Sequence, residues 1–151
     1  MDAEQLKRLS NILYSKSKAE AVKLVQSISS EDELFVLLDN YNWDTGFEVP
    51  EAIINHPNCT LSLALLAFYR ADGLRYLFEG EDAFENPLSK SWETFIKEVY
   101  DKILKEQYQN GSISYRPEIT NIQKFKLKKL HPNLSSFILD GVPGKDLHIL
   151  L

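Results

Sequence analysis

The sequence predicts a single, mainly α-helical domain over residues 1–151, with at most a small β element after residue 110. Three observations support this prediction. Apolar residues recur at helical spacing up to about residue 105, and capping-box patterns precede two of those runs. The composition, 44% hydrophobic and 26% charged, is typical of one globular domain. An α+β fold is the alternative, because the last forty residues carry weaker helical patterns.

The first three helices are predicted from short amphipathic segments. Leucines at helical spacing among charged residues indicate a helix over residues 3–14. Two Ser-x-x-Glu patterns follow, at Ser17 and at Ser30, and each precedes an apolar run. They predict a second helix that begins after Ser17 and a third over about 31–40.

The middle of the chain is predicted to hold a short helix and a buried helix. Residues 42–50 form a turn-rich loop, and Pro50 suits the first position of a helix over 50–55. The stretch between Thr60 and Asp72 is apolar nearly all round, which predicts a central, buried helix. Gly73 is predicted to end it in the left-handed conformation.

The C-terminal half begins with a long predicted helix and then becomes ambiguous. Ser91 is predicted to cap that helix, and residues 110–111 are predicted to end it. Alternating serines and apolar residues over 113–115 indicate a short strand. Residues 122–130 fit a basic helix, and residues 137–139 fit either a strand or a helix.

Charge is distributed in blocks and favours a basic partner. The net charge of the chain is -5, and counting Lys and Arg against Asp and Glu gives balances of +2 over 1–30, -11 over 31–101 and +4 over 102–151. The acidic middle block disfavours nucleic acid, whose phosphates require clustered Lys or Arg. A basic protein is the expected partner, and solubility is the competing explanation for the acids.

The sequence predicts a cytoplasmic protein without membrane segments, a membrane partner, cofactors or metals. No apolar run reaches the roughly 20 residues of a membrane helix, and the charged N-terminus lacks the pattern of a signal peptide. The single cysteine, Cys59, agrees with a reducing compartment. No Gly-rich phosphate loop is present, so we expect no nucleotide cofactor. The histidines lack partners at metal-binding spacing, and two of them, His56 and His131, precede prolines and are interpreted as helix terminators.

An enzyme is the alternative functional class. Asp44 and Glu48, beside two aromatic residues, could form a carboxylate pair for acid-base chemistry. His56 would be a further acid-base group, and Arg75 would bind an anion. This hypothesis requires all four side chains to converge in one pocket. The favoured interpretation is that the acids are solvated while the aromatic side chains fold inward, so no catalytic residue is assigned.

The middle third of the chain resembles a bacterial family, domain of unknown function 4274, over about residues 34–80. The resemblance rests on residues 41–50, 56–59 and 64–77. The positions that match the family's motif are Trp43, Asp44, Gly46, Phe47, Glu48, Pro50, His56, Pro57, Asn58, Cys59, Tyr69, Asp72, Gly73, Arg75 and Tyr76. The resemblance implies toxin-immunity gene neighbourhoods and brings no established enzyme activity. It does not cover the basic C-terminal third.

Together these observations predict a non-catalytic, protein-binding protein, most concretely a cytosolic immunity protein that neutralises a toxin, with an adaptor subunit as a further alternative. The predicted contact surface joins the loop over 42–48 to the acidic connection over 79–85. Its predicted partner-binding residues are Trp43, Asp44, Glu48, Glu79, Glu81, Asp82 and Glu85. Phe47 or Phe84 would add an apolar anchor. The competing interpretation is that Trp43 and Phe47 fill the core.

Overall fold

The computed structural model describes residues 1–14 and 16–151 and is mainly α-helical, as predicted. The α-helices in this part of the chain are α1 (Ala3–Tyr14), α2 (Lys18–Ser27), α3 (Glu31–Asp39), α4 (Glu48–Ile54), α5 (Leu61–Arg70), α6 (Gly73–Glu79), α7 (Lys90–Leu104), α8 (Asn121–Leu130) and α9 (Ser136–Asp140). Short 3-10 turns span Trp43–Thr45, Gly80–Phe84 and Pro87–Ser89.

The centre of the fold is α5, which confirms the prediction of a buried central helix. Its residues from Ser62 to Phe68 are all buried, and α5 packs against α3, α4, α6 and α7. Such a helix has no polar face because neighbouring helices surround it. The helices that carry the candidate site, α4 and α7, are therefore both fixed on one support.

The N-cap serines of the two predicted capping boxes position α2 and α3, although among the described residues neither Glu20 nor Glu33 makes the reciprocal side-chain bond. The Ser17 hydroxyl accepts from Glu20 N at 3.3 Å, and the Ser30 hydroxyl accepts from Glu33 N at 3.4 Å. These bonds satisfy backbone donors that the first helical turn leaves free. The Glu33 carboxylate, which is 5% exposed, pairs with the Arg8 guanidinium and so links α3 to α1.

Gly73 does not have the predicted left-handed conformation. Asp72 adopts it instead, with φ 65° and ψ 39°, and Gly73 begins α6. A Cβ on Gly73 would lie 2.5 Å from Cε2 of the Phe68 ring. Glycine is therefore required here by the close approach of α6 to α5, whereas Asp72 tolerates the left-handed turn as short polar residues do.

Three other predicted boundaries, the start of α4 and both ends of α7, are also wrong. α4 begins at Glu48, so Pro50 is its third residue and not its first. α7 begins at Lys90, after Ser89, so Ser91 lies inside its first turn, and α7 ends at Leu104, well before Gly111. Proline is tolerated throughout the first turn because those N–H groups have no helical acceptor.

The C-terminal segment contains helices and isolated bridges. The predicted small β element consists of a parallel bridge between Ile113 and Lys145 and an antiparallel bridge between Tyr115 and Val142. Residues 137–139, for which strand and helix were both possible, lie in α9. The basic helix predicted over 122–130 is α8.

Candidate functional site

The aromatic side chains of the first predicted binding loop pack inward on α7. The Trp43 ring makes edge contacts with Tyr41 at 5.4 Å, with Phe47 at 6.3 Å and with Phe95 at 5.8 Å between ring centroids. Phe47 stacks on Phe95 at 5.1 Å. Both Trp43 and Phe47 are half-buried at the edge of the core. Their packing agrees with the interpretation that they fill the core and leaves part of each ring at the surface.

The loop has this shape because its polar groups bond locally. The Asn42 side chain accepts from Asp44 N at 3.0 Å, which caps the 3-10 turn. The Tyr41 hydroxyl donates to the Gly46 carbonyl at 2.6 Å, and burial raises the pKa of this phenol. Gly46 has φ +111°, a conformation that L side chains rarely adopt. Asp44 is thereby held in solvent while the aromatic rings point into the protein.

The acids at the start of α4 form an exposed ridge. Glu48 is exposed and lies 3.5 Å from the Lys18 ammonium, measured between its Oε2 and Nζ. Glu51, one helical turn later, is also exposed, and no ion pair involves it among residues 1–14 and 16–151. Residues three apart on a helix share a face. We call Glu48 and Glu51 together the acidic ridge.

A groove lies on each side of the acidic ridge, and both acids line both grooves. The first, of about 530 Å³, separates α4 from α2 and includes Val22, Ala52 and His56 in its walls. The second, of about 390 Å³, separates α4 from the start of α7 and is completed by residues 46–47, 90–91 and 94–95. Carboxylates therefore stand between two partly apolar depressions. The predicted site residues omitted Glu51, although its i, i+3 spacing from Glu48 was available in the sequence.

The second predicted binding segment is the 3-10 turn Gly80–Phe84 with its flanking acids. The Phe84 ring lies 5.3 Å from the ring of Tyr76 and 4.9 Å from that of Trp92. Glu79 pairs with Arg75 at 2.8 Å, and Glu81 pairs with Lys97 at 3.0 Å.

Lys97 also binds Glu93, at 3.1 Å, and the hydrogen bonds that its ammonium group donates to Glu81 and Glu93 raise the pKa of that group. Asp82 and Glu85 are exposed and have no ion pair among the described residues. Asp82 and Glu85 are thus the acids of this segment whose charge is most available to a partner.

Helix α7 supports both predicted loops. Trp43 and Phe47 contact Phe95, and Phe84 contacts Trp92, one helical turn earlier on α7. No hydrogen bond or ion pair joins the two loops in the described part of the chain. The loops are consequently held by one helix through their aromatic residues, while their acids project separately into solvent.

The four side chains of the enzyme hypothesis are only partly brought together. Glu48 and His56 line the same groove, but Asp44 and Arg75 do not line it. Arg75 is engaged by Glu79, and its guanidinium lies 5.4 Å from the centre of the Trp92 ring. His56 Nδ1 accepts from Asn58 N at 3.0 Å, so its position as a helix terminator is fixed by a local bond.

Cys59 is buried, and burial raises the pKa of its thiol to about 12, so the thiol is protonated at neutral pH. Within the two described ranges, no group of three or more His, Cys, Asp and Glu residues could hold a metal ion. No helix in those ranges is long and apolar enough to cross a membrane.

Comparison with known protein families covers the part of the chain that carries the acidic ridge. The family described as "Domain of unknown function (DUF4274)" matches residues 29–104. The chain belongs to this family. The match extends the resemblance over 34–80 to the whole segment from the capping residue of α3 to the end of α7. No curated protein and no solved structure matches the chain. The C-terminal segment, with α8 and α9, lies outside the matched DUF4274 residues.

Proposed function

We propose that this DUF4274 protein is a non-catalytic binding protein, most concretely a bacterial cytosolic immunity protein that covers a toxin. The observation that carries the proposal is the acidic ridge, in which Glu48 and Glu51 stand between two partly apolar grooves. Grooves of this kind accept side chains that combine an apolar stem with a positive charge. A basic protein with exposed Lys or Arg has this chemistry.

The grooves offer complementary contacts for such a partner. In the first groove, Val22 and Ala52 supply apolar surface for a methylene chain, and the Glu51 carboxylate lies at its border for the terminal cation. In the second, the half-buried Phe47 supplies apolar surface beside the same carboxylates. Binding would cover apolar area and satisfy negative charge together, which is the pattern of an energetically important interface centre.

The remaining acids of the middle segment add a long-range contribution. Asp44, Asp82 and Glu85 are exposed and lack ion pairs among the described residues. The negative potential around these carboxylates accelerates capture of a positively charged toxin domain and makes association sensitive to salt. Rapid capture suits an immunity protein, because the toxin must be neutralised before it acts.

The test uses the full chain and the product of the gene next to its own. We expect direct binding in pull-down and surface plasmon resonance, protection of cells against that product, and slower association as salt increases. The double variant Glu48→Lys/Glu51→Lys should reduce the association rate at least about tenfold.

A matched control reverses two acids outside the DUF4274 region. Glu106→Lys/Glu118→Lys changes the net charge equally, and both residues are exposed. The control should retain most of the wild-type association rate. Absence of binding and of protection contradicts the immunity function. Binding that both double variants weaken equally contradicts the acidic ridge as the contact surface.

A further inference from the structure

Helix α8 presents an unusual exposed face outside the DUF4274 region. Ile122 is 69% exposed, Phe125 is 60% exposed and Leu130 is 55% exposed. The sequence predicts that these residues lie in a basic helix, and the apolar residues of a surface helix ordinarily face the core. Leu127 is instead the buried residue of α8. The apolar side chains of α8 therefore project mainly into solvent.

The exposure is not a consequence of a loosely held helix. Thr120 and Gln123 form a reciprocal capping box, with bonds of 2.9 and 3.1 Å. At the other end, His131 Nε2 donates to the Leu77 carbonyl at 2.7 Å and ties α8 to α6. Both ends are fixed, so the apolar face is preformed.

Lysines surround the exposed apolar side chains. Lys126, Lys128 and Lys129 are exposed and have no ion pair among the described residues, whereas Lys124 binds Asp140 at 3.1 Å. The Lys129 ammonium lies 4.6 Å from the centre of the Phe125 ring. The face thus combines three available positive charges with aliphatic and aromatic surface.

We propose that this face of α8 docks peripherally on an anionic phospholipid surface. Lysine next to Ile, Phe and Leu is the composition of helices that lie in a membrane interface, where the apolar side chains enter the headgroup region and the ammonium groups meet lipid phosphates. Protein interfaces are instead depleted in lysine. Single-stranded nucleic acid is recognised mainly by aromatic stacking, to which Ile122 and Leu130 contribute nothing.

The α8 face is independent of the acidic ridge, because α8 lies in a different part of the chain and carries the opposite charge. The excess of four positive charges over residues 102–151 contrasts with the acidic balance over 31–101. An anionic surface would attract α8 and repel the acidic segment, which would orient the protein with α8 against the lipid. Membrane docking and toxin binding can therefore be tested separately.

The experiment measures sedimentation of the full chain with vesicles. We expect at least about tenfold more protein to bind phosphatidylcholine vesicles that contain phosphatidylserine than vesicles of phosphatidylcholine alone, since each lysine near an anionic surface contributes about fivefold. High salt should release the protein. Ile122→Ser/Phe125→Ser and, separately, Lys126→Glu/Lys128→Glu/Lys129→Glu should each reduce binding at least about tenfold.

Matched variants control for net charge and for nonspecific adsorption through exposed apolar side chains. Lys7→Glu/Lys16→Glu/Lys23→Glu reverses three exposed lysines outside α8, and Leu88→Ser/Leu150→Ser removes two exposed leucines elsewhere. Both controls should bind vesicles like the wild-type chain. Circular dichroism of every variant should give the same helical spectrum.

Three outcomes would overturn the proposal. The first is equal binding, or no binding, to the two kinds of vesicle. The second is equal loss in the α8 variants and their controls. The third is binding of an RNA oligonucleotide or of polyglutamate that depends on the lysines but is insensitive to Ile122→Ser/Phe125→Ser, since this would assign the face to a different anionic macromolecule.

Discussion

Glu31 and Ser112 join the DUF4274 region to the C-terminal segment. Glu31 Oε1, in the first turn of α3, accepts from both the backbone N–H and the hydroxyl of Ser112, each at 3.0 Å. A carboxylate that receives two donors holds this crossing in one geometry. The contact spans 81 residues of sequence, so it forms only when the two parts of the chain fold against each other.

Gly111→Ala should weaken this junction. A Cβ at Gly111 would overlap the Glu31 carboxylate and lie 2.6 Å from Thr60 Cγ2. We expect the free energy of unfolding to fall by about 1–3 kcal/mol, measured by urea denaturation. Ser112→Ala, which removes one hydroxyl donor and adds no atoms, should cost about 1 kcal/mol. If Gly111→Ala lowers the free energy of unfolding by no more than Ser112→Ala does, the close packing around residue 111 is contradicted.

Gly73→Ala tests the close approach of α6 to α5. Because its Cβ would meet both the Phe68 ring and the Phe68 carbonyl oxygen at 2.5 Å, the substitution should destabilise the chain by about 1–3 kcal/mol. The double variant Phe68→Leu/Gly73→Ala should cost less than the sum of the two single variants, since the smaller side chain relieves part of the overlap. If the loss in the free energy of unfolding of the double variant equals the sum of the two single losses, the Phe68 ring does not obstruct a Cβ at residue 73.

The capping serines, helix α5 and Gly73 show which parts of the fold can be predicted from the sequence. The caps at Ser17 and Ser30 were found because a capping bond joins residues three apart, and the composition of the segment around α5 revealed its burial. Gly73 was misassigned because its role depends on Phe68 in another helix. A local pattern identifies a conformational preference but not a steric contact between elements.

The same distinction applies to the candidate sites. The acids of the 42–48 and 79–85 segments are identifiable from charge alone, but the two grooves beside Glu48 arise because α4 packs against α2 and lies across a depression from the start of α7. Glu51 borders both grooves only because of where α4 lies in the fold. Likewise, helical spacing predicted α8, whereas the exposure of Ile122 and Phe125 depends on which side of the helix meets α6.

Stability should decrease as the pH rises above about 9. Burial raises the pKa of the Cys59 thiol from 9.0 to about 12, and burial also raises the pKa values of Tyr69, Tyr108 and Tyr115. The folded chain therefore holds these protons more tightly than the unfolded chain. Their stabilising contribution is complete below the unfolded pKa values and is lost as the pH rises towards the folded ones.

The alkaline effect can be measured as the urea midpoint between pH 8 and pH 11. The Tyr108 hydroxyl donates to the Ile54 carbonyl at 3.1 Å, a bond that a phenolate cannot make. Tyr108→Phe should therefore lower stability at pH 8 but reduce its decline with pH. Tyr14→Phe is the control, because Tyr14 is 65% exposed. A midpoint that stays constant to pH 11 would contradict the prediction.

The last prediction distinguishes the two acidic segments as contact surfaces. Glu81→Lys/Asp82→Lys/Glu85→Lys should change Tm by only about 3 °C or less, because all three residues are exposed and the Glu81–Lys97 pair is at the surface. It should slow association with a basic partner and reduce the salt dependence of the rate, while dissociation changes little, since Asp82 and Glu85 act mainly through long-range potential. Glu48→Lys/Glu51→Lys should also accelerate dissociation, because these carboxylates border the grooves in which partner side chains would be desolvated. Stopped-flow association and surface plasmon resonance separate the two rates. Should the triple reversal leave the association rate unchanged, the 79–85 segment has no part in partner capture, and the α4 grooves would have to account for recognition alone.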